Sequence, residues 1–471
     1  MLSITFSLII LFFEIYFFSD IFSSNYILLN LGFKVINLPI DSPLLWQNIK
    51  YLFIVFSFIA KFIWFYVTLS KIFSKKFNNK SKNISSYVNP NQLQLIIGKE
   101  IDSNVDVVLS EKGLYQNILI TGAIGSGKTS SAMYPITKQL IAYKANSRED
   151  KLGMLILDVK GNYYYEVMKY ARQYGRENDV IPIEISGKYK YNPLDKKSLK
   201  ASVIANRLKT ILLLFSPNNS ESYWIDKSET VLTEAIKLCR LYNNNYVTFN
   251  EIHNLITNAD YYASKVALLR QKFINNEFSE SQTYNLLSAI NFFEKEFFSL
   301  DSRTMNILKS EITRITNCFV SDANVSKTFC PPESDNNFEG FDSVIHSGKI
   351  VVLNMNINEY RNLSKIIATY LKLDFQTDVL RQLSSSNPII HPVAFISDEY
   401  SEYVSATDAN FFSQSRESKC INVVSTQSYT SLLNALNNKY SVEVIIQNLV
   451  NKLWFRSDDI FTIEDAQKQL R

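Results

Sequence analysis

The segment Asn117-Ile-Leu-Ile-Thr-Gly-Ala-Ile-Gly-Ser-Gly-Lys-Thr-Ser130 decides the fold of this chain. Between Gly122 and Thr129 it carries the complete pattern Gly-x-x-x-x-Gly-Lys-Thr. An apolar run that favours a strand (117–121) precedes this pattern, and a helix-compatible run (130–143) follows it. Strand, glycine-rich loop and helix in this order are the context of a phosphate-binding loop, so we predict one here. The alternative is an ordinary glycine-rich turn in front of a helix.

Each residue type in such a loop has a chemical role. Glycines allow backbone N–H groups to close around a β-phosphate, the Lys128 ammonium reaches the β- and γ-phosphate oxygens, and the Thr129 hydroxyl can hold Mg²⁺. The residues predicted to bind nucleotide are Gly122, Gly125, Ser126, Gly127, Lys128, Thr129 and Ser130. Because the chain has only 12 glycines in 471 residues, a chance match to this pattern is roughly one in a few hundred.

Length and composition set wide limits on the rest of the chain. With 471 residues there is room for more than one domain. A net charge of +4 permits a nucleic-acid partner without arguing for one. The cysteines are scattered and form no Cys-x-x-Cys pair, so reduced thiols are expected rather than disulfides or a zinc site.

Two long apolar runs near the N-terminus predict a membrane anchor. Residues 3–22 and 51–70 each have about the length that crosses a bilayer. The first run lacks a basic start and a small-residue cleavage site, which favours a span over a cleaved signal peptide. Five lysines lie within residues 71–82, whereas the connecting loop 23–49 carries one. The positive-inside rule therefore predicts both ends in the cytoplasm and a short loop outside.

Beyond a polar linker the chain alternates apolar strands with helical runs, which predicts a parallel α/β sheet. Strands are predicted at 116–121, 153–158, 349–355, 391–397, 421–426 and 452–456. Between about 240 and 335 the pattern is helical, with helices predicted at 250–256, 260–273, 279–297 and 304–318. An all-α domain inserted in an α/β core is the simplest account of this arrangement.

The same pattern divides the chain into four segments. Residues 1–83 are predicted to form the membrane anchor and its linker. Residues 84–240 form the first part of a nucleotide-binding domain, and 336–471 form its second part. Residues 241–335 form the inserted all-α domain between them.

Two adjacent carboxylates end one of the predicted strands. In the run Val393-Ala-Phe-Ile-Ser-Asp-Glu399, Asp398 would bind Mg²⁺ through water, and Glu399 would orient and deprotonate the attacking water. This is a Walker B pattern. Such a pair can also be only the polar end of a strand, but a phosphate-binding loop in the same chain favours the catalytic interpretation.

Further polar residues complete the predicted chemistry. Gln427 follows the strand at 421–426, at the sheet edge that faces the loop, where it could sense the γ-phosphate or be an ordinary strand-end glutamine. Arg416 is the candidate for an arginine supplied to a neighbouring subunit, with a surface salt bridge as the alternative. Asp158 and Lys160 follow another strand and are predicted to support Mg²⁺ or the loop, or to form a strand-end turn.

These pieces, in this order, resemble the coupling ATPases of type IV secretion and conjugation, the TraG/TraD-like family. Besides the two apolar runs and the loop, the matching segments are Asp158-Val-Lys-Gly161, Tyr191-Asn-Pro-Leu-Asp195, Tyr223-Trp224, Asp398-Glu399, Ser415-Arg-Glu417, Thr426-Gln-Ser428 and Phe455-Arg-Ser-Asp-Asp459. They cover nearly the whole chain. The Asp-x-Lys-Gly and Asn-Pro-Leu segments are fairly specific to this family, whereas the loop is not.

The resemblance implies a RecA-like P-loop motor that forms a homohexamer at the inner membrane, with its soluble part in the cytoplasm. It implies that ATP and Mg²⁺ are the cofactors, and that the residues which bind them are Lys128, Thr129, Asp398 and Glu399. In the same family pattern, Gln427 would be the sensor and Arg416 the intersubunit arginine. Its implied substrate is DNA, single-stranded in preference, or a relaxase–DNA complex, and its partner is the type IV secretion channel. Family members usually continue beyond the Arg-x-x-Asp tail, which leads us to expect either truncation or a separate substrate adaptor.

The same apolar runs, phosphate-binding loop and paired carboxylates also fit other functions: a double-stranded DNA segregation translocase, a protein-secreting ATPase and a non-hydrolysing membrane scaffold. The Asp-x-Lys-Gly and Asn-Pro-Leu segments disfavour segregation, and the intact catalytic residues disfavour a scaffold. An ABC transporter is excluded because no Leu-Ser-Gly-Gly-Gln signature follows the loop. Lys200, Arg207 and Lys209 are candidate DNA contacts, no better supported than a solvated helix face.

Overall fold

The computed structural model describes residues 91–158, 160–215, 222–384 and 389–470, together with five isolated positions between 44 and 55. The chain forms two units, 1–88 and 89–471. Apart from Tyr51, Leu52 and Val55, the predicted spans at 3–22 and 51–70 lie outside the described residues. The helices that are described include none with the length and hydrophobicity of a membrane span.

Nine strands are described in the second unit. In chain order they are β1 (Gln94–Lys99), β2 (Asp106–Ser110), β3 (Ile118–Thr121), β4 (Gly153–Leu157), β5 (Val180–Ile183), β6 (Ile350–Leu353), β7 (Val393–Ser397), β8 (Cys420–Thr426) and β9 (Asn451–Trp454). β1 and β2 form an antiparallel hairpin. The other strands form one parallel sheet in the order β5-β6-β4-β7-β8-β3-β9. The predicted α/β class with a parallel sheet is therefore confirmed.

The first helices of the unit are α1 (Glu111–Leu114), α2 (Tyr134–Ala142), α3 (Tyr163–Gln173), α4 (Ala201–Leu214) and α5 (Ser222–Tyr242). A strand-free region follows with α6 (Phe249–Thr257), α7 (Ala259–Ile274), α8 (Glu280–Asn291), α9 (Ser302–Val320) and α10 (Ala323–Phe329). The remaining helices are α11 (Phe341–Ser347), α12 (Ile357–Arg381), α13 (Thr407–Gln414), α14 (Tyr429–Leu436), α15 (Lys439–Asn448) and α16 (Ile460–Leu470). Two π-helical turns, Thr129–Met133 and Phe292–Phe297, join the start of α2 and the end of α8.

The sheet forms because its strands are short apolar runs that can be buried on both faces, as parallel strands require. In β4 every residue is buried. Leu155 and Leu157 contribute to the core on one face, whereas Met154 and Ile156 contribute to the core on the other. The hairpin and α1–α3 cover the second of these faces, and α4, α5 and α12 are among the helices that cover the first.

Each of the six predicted strands lies in this sheet, with ends displaced by at most two residues; β3, for example, begins at 118 rather than 116. The parallel strand β5 and the hairpin were not predicted. β5 contains Pro182, which lacks a backbone N–H and so argues against a strand in sequence. The structure resolves the conflict because β5 is the edge strand, where one side needs no hydrogen-bond donor.

The helices predicted between 240 and 335 are present as α6, α7, α8 and α9, and none of the described residues between β5 and β6 forms a strand. Their apolar side chains join the core on one face of the sheet. Phe249 of α6, for instance, stacks on Phe319 of α9 at 3.9 Å and also contacts Tyr370 of α12. Whether 241–335 is a separate domain, and where its boundaries lie, stays a prediction.

The carboxyl ends of the parallel strands meet at one edge of the sheet, here called the carboxyl edge. Thr121 of β3 pairs with Thr426 of β8, and Ser397 of β7 pairs with Val424 of β8. The residues that follow β3, β7 and β8 therefore emerge side by side. This is the edge at which ligands bind in open α/β sheets.

Candidate nucleotide-binding site

The glycine-rich loop leaves the carboxyl end of β3 in a conformation that depends on its glycines. Gly125 and Gly127 have φ angles of 75° and 95°, which side chains other than glycine rarely adopt. At Gly122 a Cβ atom would lie 2.5 Å from Cβ of Phe455 and 2.8 Å from Oγ of Ser126. The first glycine is therefore needed for close packing, and the other two for backbone conformation.

The tail that follows β9 holds this loop from the side. The Phe455 N–H donates to the Thr121 carbonyl at 2.7 Å, and the Ala123 N–H donates to the Arg456 carbonyl at 2.7 Å. These bonds extend the β3–β9 pairing past the end of β3. The tail thus supports the loop directly, which explains why Gly122 cannot carry a side chain.

Lys128 lies inside the loop with only 6% of its surface exposed. Its Nζ donates to the carbonyl of Gly122 at 2.6 Å and to that of Ala123 at 3.3 Å. Burial lowers the pKa of the Lys128 ammonium, while the carboxylates of Glu399 and Asp398 act in the opposite direction. The buried cation thus contacts the loop carbonyls and lies within electrostatic reach of the carboxylates of Asp398 and Glu399.

Asp398 lies just beyond β7, and its carboxylate accepts hydrogen bonds from the hydroxyl groups of two other elements. The Thr129 hydroxyl donates to its Oδ2 at 2.8 Å, and the Ser425 hydroxyl of β8 donates to its Oδ1. Its backbone N–H donates to the Leu157 carbonyl at 3.0 Å, so β4 fixes the backbone at this point. The structure therefore brings together the two residues predicted to hold Mg²⁺, across the intervening strand β8.

Glu399 and Gln427 also meet at the carboxyl edge. The Gln427 amide Nε2 donates to Oε2 of Glu399 at 3.2 Å. Glu399 adopts a left-handed conformation with φ 48° and ψ 48°, and its N–H donates to Oδ1 of Asp398 at 3.1 Å. The predicted base and the predicted sensor are thus direct neighbours.

Asp158 accepts the hydrogen bonds that form the turn after β4. Its Oδ1 accepts from the Lys160 N–H at 3.1 Å, and its Oδ2 accepts from the N–H groups of Asn162 and Tyr163, also at 3.1 Å. Burial raises the pKa of the Asp158 carboxyl, and these hydrogen bonds oppose that shift. The strand-end turn is therefore formed, and the support of Mg²⁺ or the loop by Asp158 and Lys160 stays a prediction.

No protein-family model matches the chain, and a search of curated proteins finds no match either. Among solved structures, the bacterial conjugative coupling protein TrwBdeltaN70 in an unbound form aligns with a TM-score of 0.54 at 14% identity, covering 77% of this chain and 74% of that chain. TrwB with the GTP analogue GDPNP aligns at 0.52 with 13% identity, over 79% and 78%. TrwB with ADP and Mg²⁺ aligns at 0.51 with 13% identity, over 76% and 77%.

The chain has the fold of the coupling protein TrwB. At these identities the likeness concerns the fold, and at that level it confirms the resemblance predicted from the motifs.

Within this coupling-protein fold, Arg416 lies away from the loop of its own chain. It stands between α13 and β8, at the amino end of β8, whereas Gln427 follows the carboxyl end of the same strand. Arg416 is exposed, and its side chain has no ion-pair or hydrogen-bond partner among the residues that the structure describes. Within the described part of the chain, Arg416 thus forms no salt bridge, and it lies apart from the other predicted catalytic residues.

Two hydroxyl groups of the loop region are buried without a hydrogen-bond partner within the described part of the chain, Thr121 Oγ1 and Ser126 Oγ. Buried hydroxyls are nearly always paired in folded proteins. Ser130 differs, because its hydroxyl is exposed and donates to the Gly127 carbonyl at 3.3 Å. Ser126 is therefore the loop hydroxyl with free bonding capacity.

Sequence reasoning missed Ser425 as part of the site. Ser425 precedes the quoted Thr426-Gln-Ser428 segment and reads as an ordinary strand serine, because only the pairing of β7 with β8 places it beside Asp398. A polar residue within a buried strand was the available signal. Such residues are rarely buried without a partner.

The suggested DNA contact of Arg207 is wrong. Arg207 is buried on α4, where its guanidinium pairs with Asp374 of α12 and donates to the Thr377 hydroxyl at 2.7 Å. Lys209, on the same helix, pairs with Asp226 at 2.7 Å and with Glu229 at 2.9 Å. Both side chains join α4 to neighbouring helices.

Proposed function

We propose that this chain is an ATPase of the coupling-protein type, anchored in the inner membrane, that delivers DNA or a relaxase–DNA complex to a type IV secretion channel. One observation carries the proposal: the Thr129 hydroxyl contacts Asp398 at 2.8 Å beneath a complete phosphate-binding loop. A P-loop hydroxyl and a Walker B carboxylate are the protein groups that hold Mg²⁺ in P-loop NTPases.

The loop fits a bound nucleotide. Gly125 and Gly127 have positive φ angles, in a loop that leads into a helix. In a loop of this kind the backbone N–H groups bind phosphate. The Ser126 hydroxyl, which has no hydrogen-bond partner among the described residues, would supply a further donor at the same place. TrwB, which shares the fold, is known with GDPNP and with ADP and Mg²⁺, which supports a nucleotide site here.

Thr129 and Asp398 fit Mg²⁺ as its protein ligands, directly or through water. Mg²⁺ usually takes one or two carboxylates and completes its shell with water and substrate phosphates, so a small protein ligand set is expected. When bound, Mg²⁺ neutralises charge on the phosphate oxygens. Ser425 holds the Asp398 carboxylate in place by its hydrogen bond to Oδ1.

Glu399 and Gln427 would act on the attacking water. The Glu399 carboxylate accepts a proton from that water at an oxygen atom, and Gln427, bonded to Oε2 of Glu399 at 3.2 Å, keeps the carboxylate oriented. The same amide would respond to the γ-phosphate. Lys128 would move from the loop carbonyls to the phosphate oxygens.

Arg416 would serve the site of a neighbouring subunit. β8 is seven residues long, which at about 3.3 Å per residue separates Arg416 from its own carboxyl edge by roughly 20 Å. An exposed arginine without a described partner at the opposite edge fits a role in trans. A homohexamer in which carboxyl edges face amino edges would place it there.

The decisive experiment measures ATP hydrolysis by the detergent-solubilised full chain, with Glu399→Gln as the blank. Single-stranded and double-stranded DNA are added separately at low and high salt, because phosphate contacts weaken as salt rises. We expect turnover that DNA stimulates and that the substitution abolishes.

The other outcomes separate the alternatives. Stimulation by double-stranded DNA alone would favour a segregation translocase, and turnover indifferent to DNA would favour protein secretion. Wild-type turnover no higher than that of Glu399→Gln, in assembled oligomers, would refute the ATPase and leave the scaffold.

A further inference from the structure

Glu399 has a backbone conformation that its surroundings must enforce. Its φ of 48° and ψ of 48° lie in the left-handed region, which is uncommon for residues other than glycine, asparagine and aspartate. Such residues persist only where neighbouring structure over-determines them.

Tyr400, the next residue, is fully buried and anchored by its hydroxyl. That hydroxyl donates to Oδ2 of Asp408 at 2.6 Å. The same Oδ2 accepts the Ser405 N–H at 3.0 Å, and the other carboxylate oxygen accepts the Ser405 hydroxyl at 3.2 Å. Asp408 thus closes the segment 400–408 into a compact loop directly behind Glu399.

A lysine from α12 completes this loop from within the core. Lys372 has no exposed surface, and its Nζ lies 2.6 Å from Oδ2 of Asp408. It also donates to the Tyr403 carbonyl at 2.5 Å and to the Ser405 hydroxyl at 3.0 Å. One ammonium group therefore binds three points of the segment.

The same face of α12 adds two further contacts. Gln376, four residues after Lys372, donates to Oδ1 of Asp408 at 3.0 Å. Lys365, seven residues before Lys372, pairs with Glu402 at 2.5 Å. Positions 365, 372 and 376 are separated by nearly two turns and about one turn of helix, so they lie on one side of α12, and that side contacts the segment 400–408.

Stability alone does not account for this arrangement. A buried ion pair is often no more stabilising than well-packed apolar side chains of the same volume, because both charges lose their hydration. Burial lowers the pKa of the Lys372 ammonium and Asp408 raises it. What such a pair provides is a fixed geometry, since several hydrogen bonds must be satisfied at once.

We propose that Lys372 and Asp408 are positioning residues, which hold Tyr400 and through it orient the carboxylate of Glu399. This inference rests on the proposed function, in which Glu399 accepts the proton of the attacking water. Neither Lys372 nor Asp408 contacts the nucleotide loop in the contacts described, so their effect falls on turnover rather than on nucleotide binding.

Tyr400→Phe is the sharpest test, because substituting Lys372 would leave a buried, unpaired carboxylate and risk unfolding. It removes one hydroxyl and keeps the ring. Tyr191→Phe is a matched control: that buried hydroxyl also donates to a buried carboxylate at 2.6 Å, Oδ2 of Asp374, which also pairs with buried Arg207. The two substitutions are therefore alike in chemistry and burial, but only one adjoins Glu399.

We expect Tyr400→Phe to lower kcat for ATP by about tenfold, with the KM for ATP within about twofold of wild type, because a small misplacement of a catalytic group costs turnover. Hydrogen–deuterium exchange in peptides covering 398–408 should become faster. Tyr191→Phe should change neither kcat nor exchange in those peptides.

Unchanged exchange across 398–408, or faster exchange with an unchanged kcat, would overturn the inference. A rise in KM with unchanged kcat would also overturn it, because that pattern marks binding rather than positioning. If wild type shows no more turnover than Glu399→Gln, the proposed function fails. The exchange measurement then still decides whether Tyr400 holds the segment.

Discussion

The Thr129 hydroxyl donates a hydrogen bond of 2.8 Å to Oδ2 of Asp398, although 269 residues separate the two in sequence. The contact spans β8, which lies between β3, the strand that precedes the loop, and β7, the strand that Asp398 follows. A strand in that position can present its own side chains to both. Ser425 does so by donating to the second oxygen of Asp398.

We expect Ser425→Ala to weaken Mg²⁺ binding in the nucleotide complex by about tenfold, since groups that orient a metal ligand typically affect affinity by 10- to 100-fold. The substitution removes the bond that fixes Oδ1 of Asp398 and leaves the carboxylate free to rotate. A titration of Mg²⁺ against a fluorescent ATP analogue measures the effect.

Ser397→Ala is the matched control for that experiment. Ser397 precedes Asp398 in β7, and its hydroxyl is buried without a hydrogen-bond partner in the described part of the chain. Its loss should leave the Mg²⁺ affinity within about twofold of wild type, as for a substitution that breaks no contact. Equal losses at Ser425 and Ser397 would contradict a specific role for Ser425.

Gly122→Ala should destabilise the protein by about 1–3 kcal/mol, the usual cost of an extra methyl group in a packed site. The new Cβ would lie 2.5 Å from Cβ of Phe455, so the tail after β9 must shift. Thermal unfolding in the absence of nucleotide measures this. Gly98→Ala, where no described residue beyond the two chain neighbours has an atom within 4 Å of the added Cβ, should leave the melting temperature unchanged. A Gly122→Ala protein as stable as wild type would show that the tail does not constrain the loop.

Arg416→Ala should reduce ATP turnover on the order of 10³-fold while nucleotide binding persists, because an arginine supplied to a neighbouring site acts on the transition state. Arg270→Ala removes an exposed arginine that pairs with Glu294 at 2.8 Å and should not affect turnover.

Mixed oligomers test whether Arg416 acts in trans. Subunits carrying Lys128→Ala still offer Arg416 to a neighbour, and subunits carrying Arg416→Ala still bind nucleotide. Turnover should therefore rise when the two inactive proteins are assembled together. A mixed assembly, verified by cross-linking, that stays inactive would rule out the intersubunit role.

Acid should destabilise the helical region through His253. Its Nδ1 lies 2.9 Å from the Thr316 hydroxyl, and this hydrogen bond joins α6 to α9. Burial lowers the pKa of the His253 imidazole. Because the folded pKa is below the unfolded value of about 6.5, the unfolded chain takes up the proton first, and stability falls as pH drops through that value. His253→Gln should flatten the dependence of melting temperature on pH between about 7 and 5. A slope identical to that of wild type would exclude His253 as its source.

Much of the fold could be predicted because buried parallel strands leave a strong local signal. The runs at β4 and β7 are apolar at almost every position, and the polar residues that follow them mark the carboxyl edge. β5 was not predicted because Pro182 is unfavourable in a strand that is not at the edge of its sheet. A short stretch of sequence does not reveal the order of the strands, and therefore does not reveal that β5 is an edge strand.

The loop and the Walker B pair could also be predicted, since each is a contiguous pattern whose chemistry depends on residue type. Ser425, Tyr400 and Asp408 could not, because a serine, a tyrosine or an aspartate has no fixed role until its neighbours are known. Arg207 shows the opposite error: a basic residue considered as a DNA contact is buried and paired with Asp374.

The sequence by itself determined where six of the strands, the loop and the paired carboxylates Asp398 and Glu399 lie along the chain, because local patterns of burial and glycine placement govern local conformation. Only the tertiary structure decided which of these residues meet. Thr129 reaches Asp398, Lys372 reaches Asp408, and Arg416 is left at the far end of β8, because strand order and helix packing set distances between residues that the chain keeps far apart.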